Sequence, residues 1–182
     1  MALEKKRLLQ RIRIPLGFLF AIVFLIFARP SLTTLIIGGV IAVLGLMIRA
    51  WASGHIRKAR VLAISGPYAH TRNPLYVGTF LIGAGFTVAS GVWWLALLFC
   101  ILFLGIYLPV MSIEREDIHA IFGREFEEYA RNVPMFIPRL SVWKKTGEKF
   151  DFQLYLQYRE YRAAIGVAVA LVVLAAKAYF LD

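Results

Sequence analysis

The chain has 182 residues, of which 60% are hydrophobic and 18% are charged, and its mean hydropathy is +0.69. A water-soluble domain of this size cannot bury so many apolar side chains, so the composition indicates an integral membrane protein with a single domain over residues 1–182. A single cysteine excludes an internal disulfide. The net charge of +10 could indicate binding of nucleic acid, but the distribution of the basic residues along the chain follows a membrane topology instead.

Five apolar segments predict five membrane-spanning helices. The first two are Ile14–Ala28 and Leu32–Ser53, and the first is expected to be retained because it lacks a small-residue cleavage site. The next run, Asn73–Ile113, has 41 residues without a charge. As one helix it would reach about 60 Å, twice the thickness of the hydrocarbon core, so we expect it to fold back at Ser90-Gly91 into two spans. The fifth span is Ala163–Leu181.

The basic residues predict the orientation of these spans. Every Lys and Arg except Arg29 and Lys177 falls on the side of the N-terminus, and basic loops mark the cytoplasmic side of a membrane. We therefore expect a multi-pass protein of the cell membrane, taken to be a bacterial inner membrane, with the N-terminus and active site in the cytoplasm. Lys177 is expected to snorkel outward. The basic surface would face membrane lipids and not nucleic acid.

Two longer segments lie on the cytoplasmic side, one between spans two and three and one between spans four and five. In the second, apolar residues at helical spacing predict a helix over Glu114–Arg131 with a bend at Gly123, and Pro134 and Pro138 lie beyond its end. The aromatic stretch Lys144–Glu160 predicts an interfacial belt that leads into the last span. The three histidines share no metal-ligand spacing, so no metal site is expected.

The segment Ser65–Gly78 is rigid, polar and aromatic, and it opens directly into the third span. Within it, Arg72 is a bidentate donor suited to a carboxylate. Glu114 should return to the same membrane level after one hairpin, so the two residues, flanked by Tyr68 and Tyr76, could hold an amino-acid zwitterion and a stacked ring. The residues alone favour the alternative that Arg72 and Glu114 are ordinary interfacial charges or pair with each other.

Two blocks of the chain resemble a known family. The block Gly66–Gly78, read as G-P-Y followed by R-N-P-x-Y-x-G, is similar to a signature of the isoprenylcysteine carboxyl methyltransferase and phospholipid methyltransferase superfamily. The block Glu114–Pro138, with its Phe-Gly, Tyr and Val-Pro positions, is similar to that family's second block. The resemblance covers about residues 55–138, and residues 139–182 are an interfacial segment and the last span.

The resemblance implies an all-helical, membrane-embedded methyltransferase that uses S-adenosylmethionine. Its acceptor would be a lipophilic molecule, either an isoprenylcysteine-like carboxylate or a lipid amine. Arg72, Tyr76 and Glu114 would be the catalytic residues. An amine or thiol acceptor must lose a proton, and His55 or Tyr76 could assist this step. His55 is also the candidate for binding the substrate. The resemblance implies the following cofactor-binding positions: Gly66, Tyr68, Arg72, Asn73, Pro74, Tyr76, Gly78, Gly83, Gly85, Glu114 and Phe122.

The sequence leaves two other functions open, a sterol-reductase-like enzyme and a small transporter. Sterol-reductase-like membrane enzymes carry a related segment and use NADPH, although Pro67, Pro74 and the second block favour the methyltransferase. A small transporter would usually place ionisable residues within its spans, and the central hairpin has none, with Arg49 near a span end as weak support. A membrane scaffold would explain the topology but not the segment Gly66–Gly78.

Overall fold

The structure, a computed structural model, describes residues 2–57 and 61–181, and within them the side chains of residues 15–57 and 61–180. These described residues form seven α-helices and no β-strand, which confirms the all-α fold class. The helices are α1 (Ala2–Phe27), α2 (Leu32–Ser53), α3 (Pro74–Ala89), α4 (Trp93–Phe122), α5 (Arg124–Asn132), α6 (Phe152–Gln157) and α7 (Tyr161–Leu181), with a 3₁₀ helix over Gly66–Ala69.

Three of the described helices, α2, α4 and α7, are long and apolar enough to cross a membrane, and Pro15–Phe27 of α1 and all of α3 are shorter apolar helices. The predicted hairpin between α3 and α4 is confirmed, and it turns at Gly91, whose φ of +67° suits glycine. Helix α4 has 30 residues and is therefore about 45 Å long, more than the roughly 30 Å hydrocarbon core. Its last turns, from Glu114 onward, can therefore extend into the aqueous side.

The predicted helix over Glu114–Arg131 is divided in the structure. Its first part continues α4 to Phe122, and its second part is α5. Gly123 separates them with a φ of +50°, so the predicted bend is a full break between two helices. Because of this break, Glu125 is exposed and does not face the apolar side of a continuous helix.

Lys177 lies near the end of α7, where its predicted outward snorkelling stays a prediction. Its Nζ donates to the backbone oxygens of Leu25 and Ile26 in the last turn of α1. The last carbonyls of a helix lack partners within the helix, so a lysine from α7 satisfies them and ties α1 to α7. The basic side chains predicted for the N-terminal segment, and those of Lys58 and Arg60, lie outside the described residues.

Helices α2 and α3 share the most extensive contact of the described chain, and glycines make it possible. A Cβ on Gly78 would lie 2.7 Å from the oxygen of Gly45, and a Cβ on Gly85 would lie 2.5 Å from the oxygen of Gly38. Side chains larger than glycine would therefore push the two backbones apart. The fifth glycine of this region, Gly83, lies against an aromatic ring of α4. These contacts give the glycines of α3 a packing role, and their cofactor role stays a prediction.

A small core lies at the cytoplasmic end that the sequence predicted. Leu62 from the segment after α2 is buried against Phe126, Tyr129 and Val133 around α5. Phe122, a predicted cofactor residue, packs on this cluster from the end of α4. The cluster fixes α5 against the loop that precedes α3, and Phe122 therefore supports the site through its neighbours.

Candidate active site

Hydrogen bonds bring the two sequence blocks together. The backbone N–H of Arg72 donates to the oxygen of Pro134 at 2.9 Å. The amide of Asn73 donates to the oxygen of Met135 at 2.9 Å, and the hydroxyl of Thr71 donates to the same oxygen at 3.3 Å. The loop before α3 is therefore held along the segment after α5, and Asn73 holds it there through its side chain.

A second link joins the first turn of α3 to the lower part of α4. The hydroxyl of Tyr76 donates to Oε1 of Glu114 at 2.8 Å. Pro74 begins α3, where its fixed φ suits the first helical position, and this places Tyr76 on the first turn. The carboxylate of Glu114 thus returns to the level of the polar loop, as the hairpin predicted.

Arg72 lies in the loop before α3, four residues before Tyr76, and has no ion partner in the described part of the chain. Its Nε is buried and has no hydrogen-bond partner there, and its guanidinium carbon lies 6.0 Å from the centre of the Phe126 ring. Burial, and then the nearby Arg115, lower the pKa of Arg72, while Tyr129 acts in the opposite direction. No salt bridge between Arg72 and Glu114 occurs among the described residues. The guanidinium therefore has donors left for a ligand.

The hydroxyl of Tyr68 is a second buried polar group without a partner in the described chain. Tyr68 is only 5% exposed, and its backbone oxygen accepts a 2.8 Å hydrogen bond from the hydroxyl of Tyr129. Burial raises its pKa most, and Tyr129, Tyr158, Glu114 and Glu160 raise it further. An unpaired buried hydroxyl costs about 1–3 kcal/mol, so a bound molecule that pairs with Tyr68 would recover that free energy.

An aromatic wall continues from the Tyr76–Glu114 pair. The ring of Tyr76 lies 5.2 Å from that of Tyr107, which stacks on Phe103 at 4.5 Å. Phe80 lies 5.1 Å from Phe103 and 5.8 Å from Phe136, so α3, α4 and the segment after α5 each supply a ring. The sequence reasoning missed this wall, although Phe99, Phe103 and Tyr107 recur every four residues and so share one face of α4.

Gly66 is needed for the conformation of the loop. Its φ of +54° lies in the left-handed region. A Cβ there would lie 2.7–2.8 Å from the imidazole of His55. The positive φ and the close approach to His55 both explain why this position is glycine. A direct contact between Gly66 and a cofactor stays a prediction.

His55 belongs to a separate hydrogen-bonded chain. The hydroxyl of Ser65 donates to Oε2 of Glu148 at 2.7 Å, so Nδ1 of His55, 3.0 Å from the same hydroxyl oxygen, must donate to it. Burial lowers the pKa of His55 most; Glu148 opposes this and Arg57 reinforces it. No contact among the described residues joins His55 to the Tyr76–Glu114 pair, and its predicted substrate role stays a prediction.

Comparison with known proteins shows the family of this chain. The family model for phospholipid methyltransferases matches residues 33–125, which include α2, α3 and α4. The chain belongs to this family. Arg72, Tyr76 and Glu114 all lie within the matched region, whereas Phe136 and the rest of the segment after α5 lie beyond it.

Three relatives illustrate the range of proteins that this chain resembles. A nickel-cobalt-cadmium resistance protein of Alcaligenes xylosoxydans xylosoxydans is 34% identical over 62% of this chain and 52% of its own. A protein-S-isoprenylcysteine O-methyltransferase of Schizosaccharomyces pombe is 26% identical over 72% of this chain and 58% of its own. A methanethiol S-methyltransferase of Crocosphaera subtropica is 37% identical over 39% of this chain and 27% of its own.

The match to the first two of these relatives covers a little over half of their length, and the match to the third about a quarter. No solved structure matches the chain. Although one relative is named for metal resistance, the residues that the structure describes contain no group of three or more His, Cys, Asp or Glu that could hold a metal ion.

Proposed function

We propose that this protein transfers a methyl group from S-adenosylmethionine to a lipophilic acceptor at the cytoplasmic face of the membrane. The acceptor is an isoprenylcysteine-like carboxylate or a lipid amine. The observation that carries the proposal is the Tyr76–Glu114 hydrogen bond at the start of α3, which directly follows the loop where Nε of Arg72 is buried without a partner among the described residues. The family membership and the two relatives named as methyltransferases support it.

The donor and acceptor groups on the protein fit the charges of this cofactor. Its amino-acid end carries an ammonium, for which Glu114 is the acceptor, and a carboxylate, for which Arg72 is the bidentate donor. The aromatic wall around Tyr107 and Phe103 suits an adenine ring or a sulfonium, because cations are attracted to the faces of aromatic rings. The unpaired hydroxyl of Tyr68 adds one more group that a ligand can satisfy.

Bound S-adenosylmethionine supplies a methyl group that is already activated on a sulfonium. In the transfer, the acceptor atom forms a bond to the methyl carbon while the carbon–sulfur bond breaks and its electron pair stays on sulfur. The protein aligns the two reactants and excludes water, and such alignment is worth effective molarities of about 10⁵–10⁸ M. It needs no nucleophile of its own.

The fate of the acceptor proton depends on the acceptor. A carboxylate carries none, whereas an amine or thiol must lose one before or during transfer. The Tyr76 hydroxyl already donates to Glu114, so it can take a proton from the acceptor while passing its own to the carboxylate. This assigns Tyr76 and Glu114 the role of a proton relay in addition to binding.

Neither competing function has a comparable observation in its favour. The family and the named methyltransferase relatives favour a methyl donor over NADPH. The arginine that favoured a transporter, Arg49, donates from Nε and Nη2 to the carboxylate of Glu160 at 2.8–3.1 Å. A structural ion pair explains that charge without an ion pathway.

The proposal is tested by following labelled methyl groups from S-adenosylmethionine to a panel of carboxylate, amine and thiol acceptors in detergent or liposomes. Transfer to at least one acceptor is expected from the wild-type protein, together with a loss of more than tenfold in Arg72→Ala and Glu114→Ala. Arg131→Ala, on an exposed side chain of α5, is the matched control. Full activity in both Arg72→Ala and Glu114→Ala would contradict the assignment.

A further inference from the structure

A cavity of about 170 Å³ lies beside α2 on the side of α6 and α7. Its apolar walls are Leu46, Met47, Ala50, Tyr155 and Ala164. Met47 is 61% exposed, so the cavity reaches the outer surface of α2. That surface belongs to a span that is apolar enough to face lipid, and a hydrocarbon chain can therefore enter from the bilayer.

The other end of the cavity is polar. Arg49 and Glu160 line it, and Nη2 of Arg49 lies 2.8 Å from Oε1 of Glu160. Nη1 of the same arginine donates to the hydroxyl of Thr79 at 2.6 Å. The ion pair thus joins α2 to the segment before α7 and to the first turns of α3, which also carry Tyr76. An amphiphile lying in this cavity would have its apolar part at the lipid side and its polar part at the side of α3.

The first turn of α3 connects this polar end to the candidate active site. Nη1 of Arg49 donates to the backbone oxygen of Leu75 at 3.4 Å, and Leu75 directly precedes Tyr76 in the chain. The hydroxyl of Tyr76 in turn donates to Glu114. The polar end of the cavity and the Tyr76–Glu114 pair therefore meet at the first turn of α3.

We propose that this cavity binds the hydrocarbon part of the methyl acceptor, with the acceptor's polar end directed past the Arg49–Glu160 pair toward the first turn of α3, which carries Tyr76. The inference rests on the proposed function and adds to it a place and a size for the acceptor. A cavity of about 150 Å³ with apolar walls holds one benzene molecule. The cavity here therefore takes a linear or branched group of roughly five to eight carbons, and longer chains extend from it into the lipid.

The test narrows the cavity without touching the cofactor residues. Ala164→Phe adds a ring inside it, and Ala168→Phe adds the same ring one turn further along α7, at an exposed position outside the lining of the cavity, as a control. Met47→Phe, at the exposed mouth, is a second variant in case Ala164→Phe does not fold. For the acceptor group that the panel above identifies, KM is measured for members with one, five and ten carbons, and binding of S-adenosylhomocysteine is measured in parallel.

We expect Ala164→Phe or Met47→Phe to raise KM for the five-carbon and ten-carbon acceptors by at least about tenfold, since each methylene withdrawn from apolar burial costs about fourfold in affinity. KM for the one-carbon acceptor and binding of S-adenosylhomocysteine should change by less than about twofold, and Ala168→Phe should behave as wild type. Equal KM changes for all chain lengths, or none, in proteins that still transfer methyl groups would overturn the inference and leave the proposed function standing. A wild-type protein that binds no S-adenosylhomocysteine would instead remove the proposed function and this inference with it.

Discussion

Tyr76 and Glu114 are 38 residues apart and lie on different helices, yet the hydroxyl of one donates to the carboxylate of the other at 2.8 Å. The bond closes the α3–α4 hairpin at the end opposite its turn. It also places a carboxylate at the first turn of α3, which directly follows the polar loop that carries Arg72. A membrane helix that ended at the last apolar residue, Ile113, could not do this, so the extension of α4 beyond the apolar run builds one wall of the site.

Removing the charge of Glu114 should weaken cofactor binding more than removing the hydroxyl of Tyr76. A hydrogen bond to a charged group contributes about 1.5–3 kcal/mol and a neutral one about 0.5–1.5 kcal/mol. We therefore expect Glu114→Gln to weaken binding of S-adenosylhomocysteine by about 10-fold to 100-fold and Tyr76→Phe by less than about tenfold. Titration calorimetry of the detergent-solubilised protein measures both. Equal affinities in wild type and Glu114→Gln would show that the carboxylate does not face the ligand.

Removing the unpaired hydroxyl of Tyr68 should change two quantities in opposite directions, the stability of the ligand-free protein and the stabilisation by bound ligands. Tyr68→Phe removes a buried oxygen that lacks a partner among the described residues, so the ligand-free protein should be as stable as wild type or slightly more stable. Stabilisation by the ligands should fall, because the group that they satisfy is gone. Thermal unfolding with and without S-adenosylhomocysteine and acceptor measures the two effects. A less stable ligand-free protein would mean that the hydroxyl already has a partner.

The glycines of α3 should act on folding through the contact with α2. In Gly85→Val the new side chain would meet the backbone of Gly38 and Ala42, and such overpacking costs about 1–3 kcal/mol or more. We expect a thermal midpoint several degrees lower. Gly105→Val on α4 is the matched control, since a Cβ there has open space. Similar midpoints for the two variants would show that α2 and α3 do not pack as closely as described.

Stability should depend on pH through His55. Burial lowers its pKa from the ordinary value of 6.5, so the folded protein favours the neutral imidazole. Its contribution is complete above about pH 6.5 and is lost as the pH falls below that value. Thermal midpoints should therefore drop between pH 7.5 and pH 5.5, and they should drop less in His55→Gln. The same drop in both proteins would assign the pH dependence to other groups.

The hairpin of α3 and α4 could be predicted because it depends on properties that add up along the chain. A run of 41 uncharged residues is too long for one span, and Ser90-Gly91 is the place where it can turn. The residues at which helices begin and end were harder to predict from the sequence. The sequence placed a helix start at Glu114 because charges begin there, but a helix continues into water as readily as it ends, and only the positive φ of Gly123 stops it.

The site could be predicted in part. The return of Glu114 to the level of the polar loop follows from the hairpin alone. The unpaired states of the Tyr68 hydroxyl and of Nε of Arg72 depend on how the neighbouring side chains pack around them, and no sequence pattern carries that information. The pairing of Arg49 with Glu160 joins residues 111 positions apart and depends on how α7 packs on α2.

The central claim is that Arg72 and Glu114 bind the carboxylate and the ammonium of the amino-acid end of a methionine-derived cofactor in one pocket. Its most direct test compares thermal stabilisation by S-adenosylhomocysteine and by NADPH in wild type, Arg72→Ala and Glu114→Gln. The account predicts stabilisation of the wild-type protein by S-adenosylhomocysteine only, with most of it lost in each variant. Stabilisation by NADPH instead, or undiminished stabilisation by S-adenosylhomocysteine in both variants, would contradict it.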